Sequence, residues 1–406
     1  MNTTKFNKIQ SAGEFSSEIQ SSRREFITNS AKVASLAMLA SALPLMASNA
    51  NSSAKSLSPK ENGKDLKLSQ IAQITDYRTL GSGEAAMRVS NLGFGCMGLN
   101  YHRSVKLDKK VAIALVREAI ERGVTLFDTA EVYGPLSNET LMGEALKGYT
   151  DKVFVSTKFG FAFENGKIIS GKPDSSPKNI RRAVEGSLKR LKIDSIPLLY
   201  QHRFDPQTPA EVVAQTIKEL IKEGKVQRFG LCEVSAEIIE KTHKIVPLTA
   251  IQSEYHLMYR NVEREILPLC ERLGIGFVPY SPINRGFLSG AISEWTKFDA
   301  GNDNRAELPR FTKEAIRANL AIVNVLDEFG RARGYTAAQI AQSWLLHKKP
   351  FIVPITGTSK LAHLEENLRA TQIVLSNEDI NELEKRVGAI KIIGERYPQK
   401  EQKQVR

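Results

Sequence analysis

The sequence predicts an α/β fold in which eight strand–helix units close into a (β/α)8 TIM barrel. A β-hairpin precedes the first unit, and long loops cover the C-terminal face. Three observations carry this reading. Short apolar runs alternate with segments of helical period over residues 71–394. Strand starts recur roughly every 25–45 residues with one longer gap, as parallel strands joined by helical crossovers require. Eight such units in about 320 residues match a barrel with some insertion.

Taken in order, residues 77–89 with Gly81-Ser82-Gly83 at their centre form the hairpin, placed to plug the barrel bottom. Strands are expected at 92–97, 125–128, 153–157, 196–201, 226–231, 250–254, 276–280 and 351–354. Helices are expected between them, for example at 109–122, 177–191, 209–222 and 335–346. Residues 293–309, rich in Gly, Asp and Asn, predict a long loop over the barrel mouth. Residues 395–406 read as a polar tail.

The competing architecture is an open doubly wound sheet, suggested by Gly93-Phe94-Gly95-Cys96-Met97-Gly98 and by the turn at Gly81. A dinucleotide loop must follow a strand and open directly into a helix, so that pyrophosphate meets the helix N-terminus. Gly98 is followed by Leu-Asn-Tyr-His-Arg-Ser, with helix signals only from Asp108. Neither motif qualifies.

Residues 1–50 read as an export address. A polar leader reaches Arg23-Arg24-Glu25-Phe26-Ile27, and the apolar run 33–47 ends in Ala47-Ser48-Asn49-Ala50. The run is shorter than the roughly 20 residues a membrane span needs. Paired arginines followed by Phe-Ile are similar to the twin-arginine (Tat) signal, which the Tat translocase reads. The expectation is a periplasmic protein with no stable span in its mature part. Residues 51–70, poor in apolar side chains, read as a flexible linker.

Net charge is +12, yet the basic residues are dispersed, which predicts a solvated surface and no nucleic-acid partner. Three cysteines are too few for a disulfide framework. Six histidines without ligand spacing predict no metal, and Walker and GxSxG motifs are absent.

In a barrel, reactive groups sit where strands end at the C-terminal face. Those positions hold Asp128, with Tyr133 five residues on, then Lys158 and His202. Singly, each has an ordinary structural role. Together they form a proton-donor set: a lysine cation beside a tyrosine favours phenolate, an aspartate holds the lysine, and a histidine orients a carbonyl oxygen.

At this point the chain is identified as resembling the aldo-keto reductases. The matching text is Phe127-Asp128-Thr129-Ala130-Glu131-Val132-Tyr133-Gly134, Val155-Ser156-Thr157-Lys158-Phe159-Gly160, Tyr200-Gln201-His202-Arg203, Gln252-Ser253-Glu254-Tyr255, Tyr280-Ser281-Pro282 and Pro354-Ile355-Thr356-Gly357-Thr358-Ser359-Lys360. The resemblance implies NADPH-dependent reduction of an aldehyde or ketone to an alcohol by direct hydride transfer. Tyr133 is then the general acid, supported by Asp128, Lys158 and His202.

The same resemblance implies the cofactor contacts. Ser359 and Lys360, after the last strand, would meet the 2′-phosphate of NADP(H), and the following helix N-terminus suits an anion. Gly357 belongs to that loop, and His363, Glu366 and Asn367 would lie at the adenine. Tyr280 would stack on the nicotinamide, with Met97, Asp128 and Gln252 near it. Ser281, Pro282, Ile283, Asn284, Gly286 and Leu288 would form the pyrophosphate loop. Cys232 departs from the family's usual serine. A thiol is a weak donor, so it is either a poorer carboxamide contact or a small hydrophobe. The rival function is a NADP(H)-binding regulatory or redox-sensing protein, like the channel β-subunits that share this fold, with slow turnover. The complete catalytic set and the export signal favour an enzyme acting on a small-molecule carbonyl substrate.

Overall fold

Eight strands pair in a closed ring, every neighbouring pair parallel. The computed structural model describes residues 72–103, 106–164, 167–402 and 405. The expected leader (1–50) and linker (51–70) lie outside the described residues. In chain order, β1 (Tyr77–Leu80) and β2 (Met87–Ser90) form the antiparallel hairpin. The ring begins with β3 (Gly93–Gly95), β4 (Leu126–Asp128) and β5 (Phe154–Phe159). A second hairpin, β6 (Phe161–Glu164) and β7 (Lys167–Pro173), leaves the C-terminal end of β5. The ring then continues through β8 (Leu198–Gln201), β9 (Phe229–Cys232), β10 (Leu248–Glu254), β11 (Gly276–Tyr280) and β12 (Ile355–Thr356).

Helices α1 (Lys109–Glu121), α2 (Ser137–Ala145), α3 (Pro177–Leu191), α4 (Ala210–Lys222), α5 (Ala236–His243) and α6 (Ile266–Leu273) make the crossovers up to β11. Helices α7 (Lys313–Arg331) and α8 (Ala337–Lys348) lead to β12, and α9 (Leu361–Ala370), α10 (Asn377–Gly388) and the short α11 (Gln399–Gln402) follow it. Local chemistry sets the boundaries. Ser176 caps α3 by accepting from the Asn179 amide, with Pro177 in the first turn, where its missing N–H costs nothing. Every residue of β10 is buried, as a parallel strand covered on both faces requires.

The first hairpin seals the N-terminal end of the barrel. Leu80, Met87 and Val89 join Leu126, Leu198, Tyr200, Val278 and Val353 in the interior cluster. Thr249 Oγ1 donates to the Ala85 carbonyl at 2.8 Å and Arg228 Nε to that of Ala86 at 2.9 Å. Chemistry is thereby left to the other end.

Most expected strands lie within a few residues of the observed ones, and three places differ. The last strand is assigned at Ile355–Thr356 and not at 351–354, although Phe277–Ile352 bridging and the Gly93 N to Pro354 O bond (2.8 Å) show that alignment starts earlier. Pro354 has no N–H to donate, so the ladder is interrupted there. The antiparallel strands Phe161–Glu164 and Lys167–Pro173 lie between the strands expected at 153–157 and 196–201, where no strand was expected. The tail expected to be polar at 395–406 holds two buried residues, Arg396 and Tyr397. The glycine motif at 93–98 ends β3 and runs into a 3₁₀ turn, with no α-helix among the described residues between it and Lys109, so its rejection as a dinucleotide loop holds.

Candidate active site

Asp128, Lys158 and the residue preceding His202 end or nearly end β4, β5 and β8, three consecutive strands of the ring. Lys158 Nζ donates to the Asp128 carboxylate, to the Thr129 carbonyl at 2.8 Å and to the Tyr133 hydroxyl at 3.5 Å. Asp128 Oδ2 also accepts from Ser156 Oγ at 2.7 Å and Gln252 Nε2 at 2.9 Å. The carboxylate is therefore held from three sides, and the ammonium has one direction left, toward Tyr133. The His202 ring meets that of Tyr133 edge-on, centroids 5.8 Å apart. All four expected catalytic residues thus meet at one point. Losing one partner of a buried ion pair of this kind costs about 3–5 kcal/mol.

Electrostatics refine the sequence expectation. Burial pushes the Tyr133 phenol up to about 12, with Lys158 pulling the other way. The lysine favours phenolate as expected, but burial outweighs it, and the hydroxyl keeps its proton at neutral pH. Burial alone would depress Lys158, yet the adjoining Asp128 carboxylate holds it above its ordinary value. Burial, then Arg203 and Lys158, push His202 well below its ordinary value, so it is neutral.

The cluster lies in a cleft of about 970 Å³ that runs from Tyr133 and His202 to the N-terminus of α9. Of the expected cofactor residues, Met97, Asp128, Gln252, Tyr280, Ser281, Pro282, Ile283 and Gly286 line it, as do Gly357, Ser359, His363, Glu366 and Asn367. Four others do not. Leu288 is packed in the core, and the buried Asn284 amide is turned to Met258 Sδ at 3.2 Å. Their side chains serve the loop's own fold. Lys360 is exposed, outside the lining. Cys232 belongs to the barrel-interior cluster, and burial pushes its thiol up to about 12.

The far end of the cleft suits phosphate. The N-cap residue of α9, Lys360, makes no side-chain cap bond, and the first-turn amides keep their donors among the described residues. Gly357 allows the loop to approach β3, because a Cβ there would come 2.7 Å from the Gly95 carbonyl oxygen. Ser281, Asn284 and Arg285 adopt left-handed φ of 53°, 46° and 54°, a run of strained positions in one cleft-lining loop.

Some residues of this cleft were not foreseen. Arg103, Arg203, Arg285 and Tyr397 line it, and Phe161 and Ile168 of the second hairpin wall the side by His202. The loop expected over the mouth is there: Asn302 donates to the Arg103 carbonyl, and Arg103 Nη1 to Asn304 Oδ1 at 3.2 Å. A signal for the second hairpin stood in the sequence, Asn165-Gly166 between strand-like runs. No local signal marked Tyr397, whose partners are more than 100 residues away.

Comparison with known proteins agrees with this geometry. The model of the Aldo/keto reductase family matches residues 91–387. A probable aldo-keto reductase 1 of Glycine max is 39% identical over 320 residues, which cover 78% of this chain and 90% of that protein. Among solved structures, the glycerol dehydrogenase from Gluconobacter oxydans is similar with a TM-score of 0.70 at 25% identity, covering 77% of this chain and 96% of its own. A thermostable aldo-keto reductase solved with the inhibitor epalrestat has a TM-score of 0.61 at 26% identity, covering 77% and 99%. A matching family model over most of the barrel and a relative of this identity leave one conclusion: the chain belongs to the aldo/keto reductase family.

Proposed function

We propose that this oxidoreductase reduces an aldehyde or ketone to an alcohol with NADPH, and that Tyr133 is the proton donor. The observation that carries the reading is the buried Lys158 ammonium, bonded to both the Asp128 carboxylate and the Tyr133 hydroxyl at the floor of an open cleft. When bound, the nicotinamide supplies hydride to the carbonyl carbon. The chain does the rest. Tyr133 Oη gives its proton to the carbonyl oxygen, while Lys158 stabilises the phenolate left behind. Asp128 keeps the lysine charged and aimed. Neutral His202, whose buried Nδ1 has no hydrogen-bond partner among the described residues, presents its ring beside Tyr133 to orient the oxygen.

The dinucleotide fits the residues present. Tyr280 and Gln252 would hold the nicotinamide end, the 281–286 loop the pyrophosphate, and Ser359, His363, Glu366 and Asn367 the adenosine end. Lys360, beside the uncapped α9 N-terminus, would turn to the 2′-phosphate. Residues 1–50 would direct the folded, loaded protein through the Tat route to the periplasm.

Tyr133→Phe tests the assignment. Carbonyl reduction falls by about 10²–10⁴-fold, while NADPH binding stays within a few-fold of wild type. Steady-state NADPH oxidation over a panel of aldehydes, with NADPH titration of the variant, reads both. Retention of more than a tenth of wild-type turnover excludes Tyr133 as the donor.

A further inference from the structure

The segment after α10 crosses the outside of the barrel and returns to the cleft as a strap. Its first anchor is on α7, where Asn319 Nδ2 donates to the Ile393 carbonyl and Asn319 Oδ1 accepts from the Ile393 amide, both at 2.9 Å. Arg310 Nε then holds the Gly394 carbonyl at 3.2 Å. Gly394 has φ +88°, and a Cβ there would come 2.7 Å from the Pro309 carbonyl oxygen, so the turn needs glycine. Beyond it, Arg396 is almost fully buried and grips both oxygens of Glu233 at 3.0 and 2.9 Å. Its guanidinium lies over the Tyr259 ring, 4.3 Å from the centroid. A buried bidentate pair of this sort contributes little net stability but fixes one geometry.

That geometry delivers Tyr397. Its hydroxyl is 2.9 Å from the Tyr280 hydroxyl and accepts from Arg285 Nη2 at 3.0 Å. The Arg285 guanidinium lies 5.2 Å from the Tyr397 ring centroid. Tyr280 ends β11 and Arg285 lies in the strained loop after it, so one hydroxyl ties a strand end to the loop that follows. Tyr280, Arg285 and Tyr397 all line the cleft.

We propose that Tyr397 is a positioning residue: carried by the Arg396–Glu233 anchor, it fixes the Tyr280 ring against which the nicotinamide of the bound cofactor stacks. This rests on the cofactor reading above. The strap thereby belongs to the nicotinamide half of the site, although it lies more than 100 residues in sequence from Tyr280. Its effect reaches the nicotinamide half and, through Arg285, the loop after β11. The adenosine end is held by the loop at 357–359 and by α9, which the Tyr397 hydroxyl does not touch.

Tyr397→Phe keeps the ring and removes only the hydroxyl. Affinity is measured by titration with NADPH and with adenosine 2′-phosphate, which lacks both the pyrophosphate and the nicotinamide. The Kd for NADPH rises roughly fivefold, the size of one hydrogen bond, while that for adenosine 2′-phosphate is unchanged. A purely structural role would weaken both together. Tyr280→Phe removes the Tyr280–Tyr397 contact from the other side, so the double variant loses no more than Tyr397→Phe alone. Equal weakening of both ligands, no weakening, or additive losses in the double variant overturn the proposal. Failure of the wild-type protein to bind either NADPH or NADH would instead overturn the cofactor reading on which it stands.

Discussion

A phenol in water gives up its proton near pH 10; in this cleft Tyr133 holds it to about pH 12. Burial sets that sign, and the sign fixes the direction of pH dependence. With Tyr133 as the proposed donor, reduction needs its proton, so the rate is full below the shifted value and lost only above it. The kcat for carbonyl reduction is therefore flat from pH 6 to 10, within a factor of about two. Alcohol oxidation needs the phenolate and rises about tenfold per pH unit over pH 7–10. Paired pH–rate profiles check both, and a fall in reduction centred below pH 9 would contradict them. Asp128, Lys158 and His202 were legible in the sequence because strand ends can be read from apolar runs, and a barrel gathers strand ends at one face. The balance at Tyr133 was not, because burial is a property of the assembled wall and not of the five residues between Asp128 and Tyr133.

At the scale of elements, the N-terminus of α9 is the feature with the clearest consequence. Its capping position holds Lys360, whose side chain cannot accept from the first-turn amides, so they keep their donors. An exposed cation beside them favours an added phosphate group. Lys360→Ala raises the Kd for NADPH on the order of tenfold, about 1.4 kcal/mol, and leaves that for NADH nearly unchanged. Parallel titrations decide it, and equal weakening of both would show that Lys360 does not read the 2′-phosphate. The start of helix α9 just after Lys360 was legible, because a loop of Gly, Thr and Ser passes abruptly into helical period. The last strand was placed early, because Pro354 sits within an apolar run yet cannot donate to the ladder. The second hairpin carried its own turn signal in Asn165-Gly166, but alternation over so few residues is easily absorbed into a loop.

Across the whole molecule, the barrel brings together residues from Met97 to Asn367, so the cofactor cleft exists only in the folded chain. A ligand that binds only the folded state also stabilises it by mass action. The proposed Tat address suits such a protein, since it passes chains already folded and loaded. All three cysteines are free and buried, and no bond among them requires an oxidising compartment. Replacing Arg23 and Arg24 together by Lys retains the uncleaved protein in the cytoplasm, active and able to bind NADPH. Cell fractionation with an activity assay checks this. Normal export of the double variant would remove the Tat reading and leave the family assignment untouched.

The hairpin that closes the barrel bottom also sets the order in which the fold can be completed. It is made before the barrel strands, yet several of its partners are made late. Arg78 donates to the carbonyls of Leu346, Lys349 and Ile352, some 270 residues downstream. Thr249 and Arg228, which hold its turn, also follow by more than 100 residues. Contacts of such separation form slowly, because the intervening loop must first be closed at an entropic cost. A nascent chain stopped before residue 346 therefore carries a hairpin without its seat, and its interior stays open to water at that end. Synthesis must be nearly finished before the barrel can shut.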